Sequence, residues 1–420
     1  MPGEGDLPVV DFMAAVAATG YDGAISLEIF NDQFRGGAPT AIAEDGHRSL
    51  VYLMDQVGRA EPSIAAVVPS MPDRADVLGV EFVEFTADEA EAAELGAHLS
   101  AMGFAQVGRH REKAVSLWRQ SAGAAGINIV LNTEDKGFAH SAYLVHGTSA
   151  YALGLKVNDA AGAVERARAL DVEAFAPPAG EAPSALPAVR GVGGGLLYFV
   201  DARDDVWGRE FDLVETPASS GTGLVAIDHV AQSMKAEDLP SALLFYTSIL
   251  KTGKLPLVDI VDPAGLVRSQ VVENETGSLR LTLNGADNHR TFAGHFIAES
   301  FGSGVQHLAF RTGDIFDTAR RLKEAGFRPL SISRNYYDDI EVRFGLEPDL
   351  TDRLRADNIL YDRDEHGEYF QIYGPTHGEG FFFEIVERRG NYRGYGAANA
   401  AFRIAAQKRT FRPAGLPSDA

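Results

Sequence analysis

Two histidines and a glutamate in the second half of the sequence are of the residue types that hold a metal ion. His229 lies in the short alternating stretch IDHV, His307 opens the apolar stretch HLAF, and Glu384 sits inside FFFEIVE. Each stretch reads as a β-strand. A carboxylate among three phenylalanines is costly to bury unless it is paired or bound to a cation. Two imidazoles and one carboxylate form the facial set of a non-haem iron(II), which leaves positions open for O2 and a chelating substrate side by side. The same donors also accept Mg(II), Mn(II), Co(II) or Zn(II). A lone strand histidine is more often a hydrogen-bonded core residue, so the inference rests on the three together. His98, His110, His289 and His377 have no such setting and are expected at the surface or in loops.

The elements that must position these residues belong to an internal repeat. YALGLKVNDAAGAVERARAL, from Tyr151, matches QHLAFRTGDIFDTARRLKEA, from Gln306. Both read as a strand, a turn with Asp159 or Asp314, and an amphipathic helix. INIVLN ending at Asn132 resembles LRLTLN ending at Asn284, GREFDLVE resembles GFFFEIVE, and GVEFVEF resembles AIDHVAQ. Preserved order across four pairs is the signature of a duplicated unit. The unit is a strand, a helix and several strands, used about twice in each of the halves 78–216 and 224–388, each large enough for its own core. On this alignment His229, His307 and Glu384 face Phe82, Ala152 and Asp212, so the ligand set belongs to the second half alone.

The 420 residues include 59 acidic against 38 basic side chains, a formal charge of −21, which repels nucleic acid and anionic membranes. There is no cysteine, hence no disulfide or thiolate site, in keeping with a reducing cytoplasm. No apolar run approaches the ~20 residues of a membrane helix, and the start lacks the features of a signal peptide. Residues 1–60 read as a helix over 7–19, a near-continuous apolar strand over 24–30 and a helix over 39–58. A strand buried between helices is a building block of α/β barrels and doubly wound sheets. Residues 61–77 read as a linker, and 406–420 as a flexible tail.

Residues 225–405 resemble the 4-hydroxyphenylpyruvate dioxygenase family, of the vicinal-oxygen-chelate fold. The stretches that carry this are IDHV, GVQHLAFRTGDI, SRNYYDD, ILYDRDEHGEYFQIYGP, FFFEIVERRG and GYGAANAAFR. The resemblance implies an α+β fold of tandem βαβββ modules in two half-barrel domains, a metal-free one at 78–216 and a metal-binding one at 224–405. It implies Fe(II) on His229, His307 and Glu384, and a substrate pocket of Ser269, Asn284, Gln306, Gln371 and Phe382. The implied reaction is chelation of an aromatic 2-oxo acid, O2 activation, oxidative decarboxylation and attack on the ring. Tyr395 and Ala400 stand where the dioxygenases usually have phenylalanines. The GYGAANA variant looks like bacterial 3-dehydroshikimate dehydratases, which join such a region to a barrel. GYDGAISLEIFND correspondingly resembles the last strand of a sugar-phosphate-isomerase-like TIM barrel, with Glu28 as one ligand of a separate, incomplete metal site. Such a barrel takes about 250 residues, so 1–60 are expected to be its C-terminal remnant. The expected activity is a dioxygenase of aromatic catabolism that uses O2. The alternatives are the C-terminal portion of a dehydratase forming protocatechuate, or a non-catalytic small-molecule binding module. The expected partner is a small aromatic or cyclic keto acid, and related proteins suggest a homo-oligomer.

Overall fold

The computed structural model describes residues 1–2, 5–32, 36–64, 68, 70–122, 125–177, 186–214 and 221–410. The N-terminal region forms helices Val9–Ala18 and Pro39–Ala60. The strand expected over 24–30 does not form: these residues join no sheet. A strand needs a neighbour for its backbone N–H and C=O groups, and no described segment pairs with it. The apolar side chains of this region stay outside, with Phe30 89%, Leu7 78% and Phe12 65% exposed. The helix Pro39–Ala60 does dock, through Ser49, Tyr52, Leu53 and Val57, which recur at helical spacing on its buried face.

Among the described residues the first half builds an eight-stranded sheet and the second a nine-stranded one. In each, a middle strand pairs antiparallel with the first strand of its half and parallel with a later one. In the second sheet, Gly304–Thr312 lies between Leu224–Lys235 and Phe381–Gly390. In the first, Ser149–Val157 lies between Val77–Thr86 and Leu196–Asp201. The helix after each middle strand starts at the expected turn aspartate. Asp159 accepts a bond from the Gly162 amide, and Asp314 from those of Phe316 and Asp317. These caps satisfy amides the helix cannot.

Strand register corrects one repeat assignment. Ala309 faces His229 on one side and Glu384 on the other, and His307 faces Ala231 and Phe382. In the first sheet Gly154 faces Phe82 and Tyr198, and Ala152 faces Glu84 and Leu196. His229 and His307 therefore correspond to Phe82 and Ala152, as the sequence suggests, but Glu384 corresponds to Tyr198. Asp212 lies on Phe211–Leu213, at the far edge of the sheet beside Ala105–His110. The short apolar string around Asp212 imitates FFFEIVE, whereas the true structural mate is LLYFVD.

The halves do not keep separate cores. One apolar cluster runs through both, with Phe85 against Phe381 and Phe104 against Phe310. His98 and His377, expected at the surface or in loops, lie in this seam with ring centroids 4.3 Å apart, and among the described residues neither Nε2 finds a partner. Within 61–77, Met71 and Ala75 are buried, and Ala75 bridges to Leu250. Within 406–420, residues through 410 continue the helix Ala400–Thr410, where Ile404 and Ala406 pack inside; residues 411–420 lie outside those described.

Arg166 joins all these parts. Its fully buried guanidinium donates to Asp55 Oδ2 at 2.9 Å, the Ser248 carbonyl at 2.6 Å and the Pro72 carbonyl at 2.6 Å. Asp55 also accepts from Arg59 Nε at 2.8 Å, so Arg166→Ala would leave the buried carboxylate with one half-exposed partner and remove three bonds. Urea denaturation should then show a loss of about 3 kcal/mol. A loss within about 1 kcal/mol, the size of an exposed pair, would contradict this role.

Burial, with His377 adding to it, pushes the His98 imidazole down to about 3, and burial also lowers His377. In the unfolded chain both would titrate near ~6.5. The folded state thus binds fewer protons below that pH, and its stability is full above it and lost as pH falls toward 3. The urea midpoint should drop on acidification from about pH 6.5 to 4, and His98→Phe, which can keep the stacking on Phe383, should flatten that slope. An unaltered slope in the variant would refute the assignment.

Candidate metal centre

His229, His307 and Glu384 reach one point from three adjacent strands. His229 Nε2 lies 3.1 Å from His307 Nε2 and 3.4 Å from Glu384 Oε2, and His307 Nε2 is 3.5 Å from that oxygen. Cis ligands on an octahedral ion stand roughly 3 Å apart and tetrahedral ones roughly 3.4 Å for bonds near 2.1 Å. The triangle fits either, and the donor set suits a first-row divalent ion with open positions. Among the described residues no other such trio of His, Cys, Asp or Glu occurs.

Two irregularities in the strands aim these groups. Pairing passes from Ala309–His229 to Phe310–Ile227, leaving Asp228 without a mate, and from Val305–Gln232 to His307–Ala231, leaving Gln306 without one. A bulge of this kind breaks strict alternation and re-aims a side chain. Asp228 can therefore turn to its own neighbour, accepting a bond at 2.9 Å from His229 Nδ1. That bond holds the proton on Nδ1 and leaves the Nε2 lone pair for a cation. Arg388 clasps Asp228 through Nη2 at 2.9 Å and Nε at 3.0 Å, and Arg280 stands 3.5 Å away. Burial alone would raise the Asp228 carboxyl, but the His229 bond and Arg388 hold it well below the usual carboxylate range. Burial likewise pulls His229 down, and Asp228 and Glu384 outweigh it, raising the imidazole. His307 is held well below its ordinary value by burial, then by His229 and Arg403.

The pocket above the triad has a volume of about 70 Å³. Ser269, Asn284, Gln306, Phe382 and Tyr395 line it. The His307 ring stacks on Phe382 at 4.8 Å, and Tyr395 stands edge-on to His229 at 5.4 Å while donating to Glu273 Oε2 at 3.1 Å. Gln371 sits behind Glu384 instead: its amide nitrogen donates to Glu384 Oε1 at 2.8 Å, and its oxygen accepts from Asn399 Nδ2 at 2.8 Å. It orients the ligand.

Sequence reading missed several participants. Asp228 and Arg388 were invisible because the bulge and a contact across 160 residues create their role. Arg403, on the helix Ala400–Thr410 that closes the pocket, lies over the Phe382 ring at 4.9 Å. Thr282 Oγ1 and Asn284 Oδ1 are buried at the pocket without a partner, as groups awaiting a ligand are. Glu28 is brought to no site; it is exposed on the unpaired segment 24–30.

Comparison with known proteins agrees with this architecture. The family model described as hydroxyphenylpyruvate dioxygenase, N-terminal, matches residues 73–212. That of the glyoxalase/bleomycin resistance protein/dioxygenase superfamily matches 226–367. A 3-dehydroshikimate dehydratase of Pseudomonas putida is 42% identical over 414 residues, covering 96% of this chain and 64% of that protein. The chain thus spans just under two thirds of that relative's length. A 4-hydroxyphenylpyruvate dioxygenase of Pseudomonas aeruginosa is 32% identical over 328 residues, 76% of this chain and 90% of the other. A solved xylose isomerase-like TIM barrel/4-hydroxyphenylpyruvate dioxygenase fusion protein superposes with a TM-score of 0.84 at 40% identity, over 97% of this chain and 65% of that one.

Calorimetric titration with Mn(II) should find a single site that Glu384→Ala abolishes and Asp212→Ala leaves intact; equal loss in both would contradict a one-site centre. Asp228→Asn keeps the shape but removes the charge behind His229, and should weaken Mn(II) binding about 10–100-fold. Unchanged affinity would reduce Asp228 to a packing residue.

Proposed function

Because the chain belongs to the hydroxyphenylpyruvate dioxygenase family, we propose that it is the dioxygenase-like portion of a 3-dehydroshikimate dehydratase fusion, with one metal centre that binds a chelating keto acid. The observation that carries this reading is the 42% identity to a 3-dehydroshikimate dehydratase along 96% of the chain. The N-terminal region supports it as well. An extended apolar segment without a sheet, and the exposed Leu7, Phe12 and Phe30, suit a surface that further barrel strands would cover. Glu28 would then be one ligand at the mouth of that barrel. The dehydration would fall to barrel residues outside this chain, and the present part would have a structural or regulatory role.

Within the pocket each group has a definable task. A divalent ion bound here would supply Lewis acidity to two oxygens of a keto acid. Asp228 holds the His229 tautomer, and Gln371 fixes Glu384. Asn284 Oδ1 and Thr282 Oγ1 offer unspent hydrogen-bonding capacity to a substrate. Phe382 and Tyr395 would wall its ring, and Arg403 would offer a cation to its carboxylate. Ala400, Arg403 and Ile404 of the helix Ala400–Thr410 form one wall of the pocket.

A second reading, an Fe(II)-dependent dioxygenase acting on an aromatic 2-oxo acid with O2, is favoured by the complete triad and by the 32% identity to a 4-hydroxyphenylpyruvate dioxygenase. Tyr395 and Ala400, where such dioxygenases usually carry phenylalanines, weigh against it.

Grafting this chain in place of the matching 414 residues of the Pseudomonas putida relative should preserve 3-dehydroshikimate dehydration. The chain by itself, loaded anaerobically with Fe(II), should consume no O2 with 4-hydroxyphenylpyruvate. An inactive graft would count against the first reading. O2 uptake that disappears in His307→Ala would establish the second.

A further inference from the structure

The first half contains a cavity of about 290 Å³, far roomier than the 70 Å³ metal pocket. Strand register makes the two cavities counterparts within the repeat. Phe82, Tyr151, Leu196 and Tyr198 line the larger one, and their register mates His229, Gln306, Phe382 and Glu384 line the metal pocket. The same holds for Asn132 and Asn284, and for Val115 and Ser269, on the next two strands. Loss of the metal ligands has therefore not closed the site. Aromatic rings fill two of the three ligand positions instead, with Phe82 5.7 Å from Tyr198, and Trp207 adds a third ring 5.8 Å from Phe82.

A carboxylate has also been added. Glu84 stands where the second half has Ala231, since Ala152 faces the former and His307 the latter. Tyr151 Oη donates to Glu84 Oε1 at 2.7 Å and Asn132 Nδ2 donates to the same oxygen at 2.8 Å. Both bonds fall on one oxygen. Oε2 has no such bond among the described residues, and Glu84 keeps part of its surface open where it lines the cavity. Burial raises the carboxyl in spite of these bonds, so a cation placed against it would be stabilising. The cavity carries Glu84, Glu112, Glu134 and Glu210 against Lys113 and Lys136, and both lysines are exposed at its rim. An acidic anchor ringed by aromatic faces attracts a positive charge through both carboxylate and ring quadrupoles.

We propose that this cavity is a second small-molecule site and that it takes an organic ammonium ion: an amine whose charged head meets Glu84 and whose apolar body lies among Phe82, Tyr198 and Trp207. The site needs no metal, and it is separate from the His229–His307–Glu384 centre.

The test is calorimetric titration of the full chain with benzylammonium, and with benzyl alcohol and benzoate as neutral and anionic matches. Benzylammonium should bind saturably, and the other two should bind roughly tenfold more weakly or worse. Glu84→Gln keeps the shape and an acceptor for Tyr151 and Asn132. It should weaken benzylammonium binding about tenfold while leaving the melting temperature and Mn(II) binding as in the parent. Benzoate binding as tightly as benzylammonium, benzylammonium affinity unmoved by Glu84→Gln, or no saturable binding of the amine would each overturn the proposal.

Discussion

Three adjacent strands deliver one ligand atom each to a triangle with sides of 3.1, 3.4 and 3.5 Å, and the register among them is the constraint on which the whole centre depends. Ala309 acts as the reference point, since it faces His229 and Glu384 at once while His307 lies two residues before it. A one-residue slip of any strand would turn its ligand to the opposite face. Register is protected by burial of the face away from the ligands, where Leu308 and Phe310 pack into the core shared by the halves. The seam of that core, the clasp of Arg166 and the docked N-terminal helix therefore serve the site without touching it.

Charge imposes the second constraint. Asp228 and Glu384 are almost wholly buried, which is tolerable only where cations and donors compensate. Asp228 obtains that compensation from Arg388, Arg280 and His229, and Glu384 from Gln371 and the histidines. Glu384 retains Oε2 toward the histidines, the one direction from which a metal can be approached by all three donors. In the first half the same strand positions hold Phe82, Ala152 and Tyr198, and Glu81 occupies the bulge that Asp228 occupies in the second. The scaffold is thus duplicated while the chemistry is not.

Much of this was legible in the sequence because the repeat supplies its own comparison. The strands of His229 and His307, the capping aspartates Asp159 and Asp314, and the equivalence of Asn132 with Asn284 all follow from matched strings. The error over Asp212 has a physical cause: short apolar strings with one acid are easily matched, and only pairing between strands tells which string lies beside Ser149–Val157. The segment 24–30 has the composition of a buried strand but no neighbour to pair with among the described residues, and composition alone cannot supply one. Bulges at Asp228 and Gln306 leave no mark in residue types, so the second carboxylate of the centre and its arginine clasp emerged only in three dimensions. The types and neighbours of His98 and His377 suggest a surface or loop place, because nothing local indicates a seam between halves.

Anomalous diffraction from crystals of the chain soaked in Mn(II) tests the central claim most directly. One peak is predicted, within bonding distance of His229 Nε2, His307 Nε2 and Glu384 Oε2, and none among Phe82, Ala152 and Tyr198. A soaked crystal with no peak at the triad, or with its peak in the first half, would contradict the account.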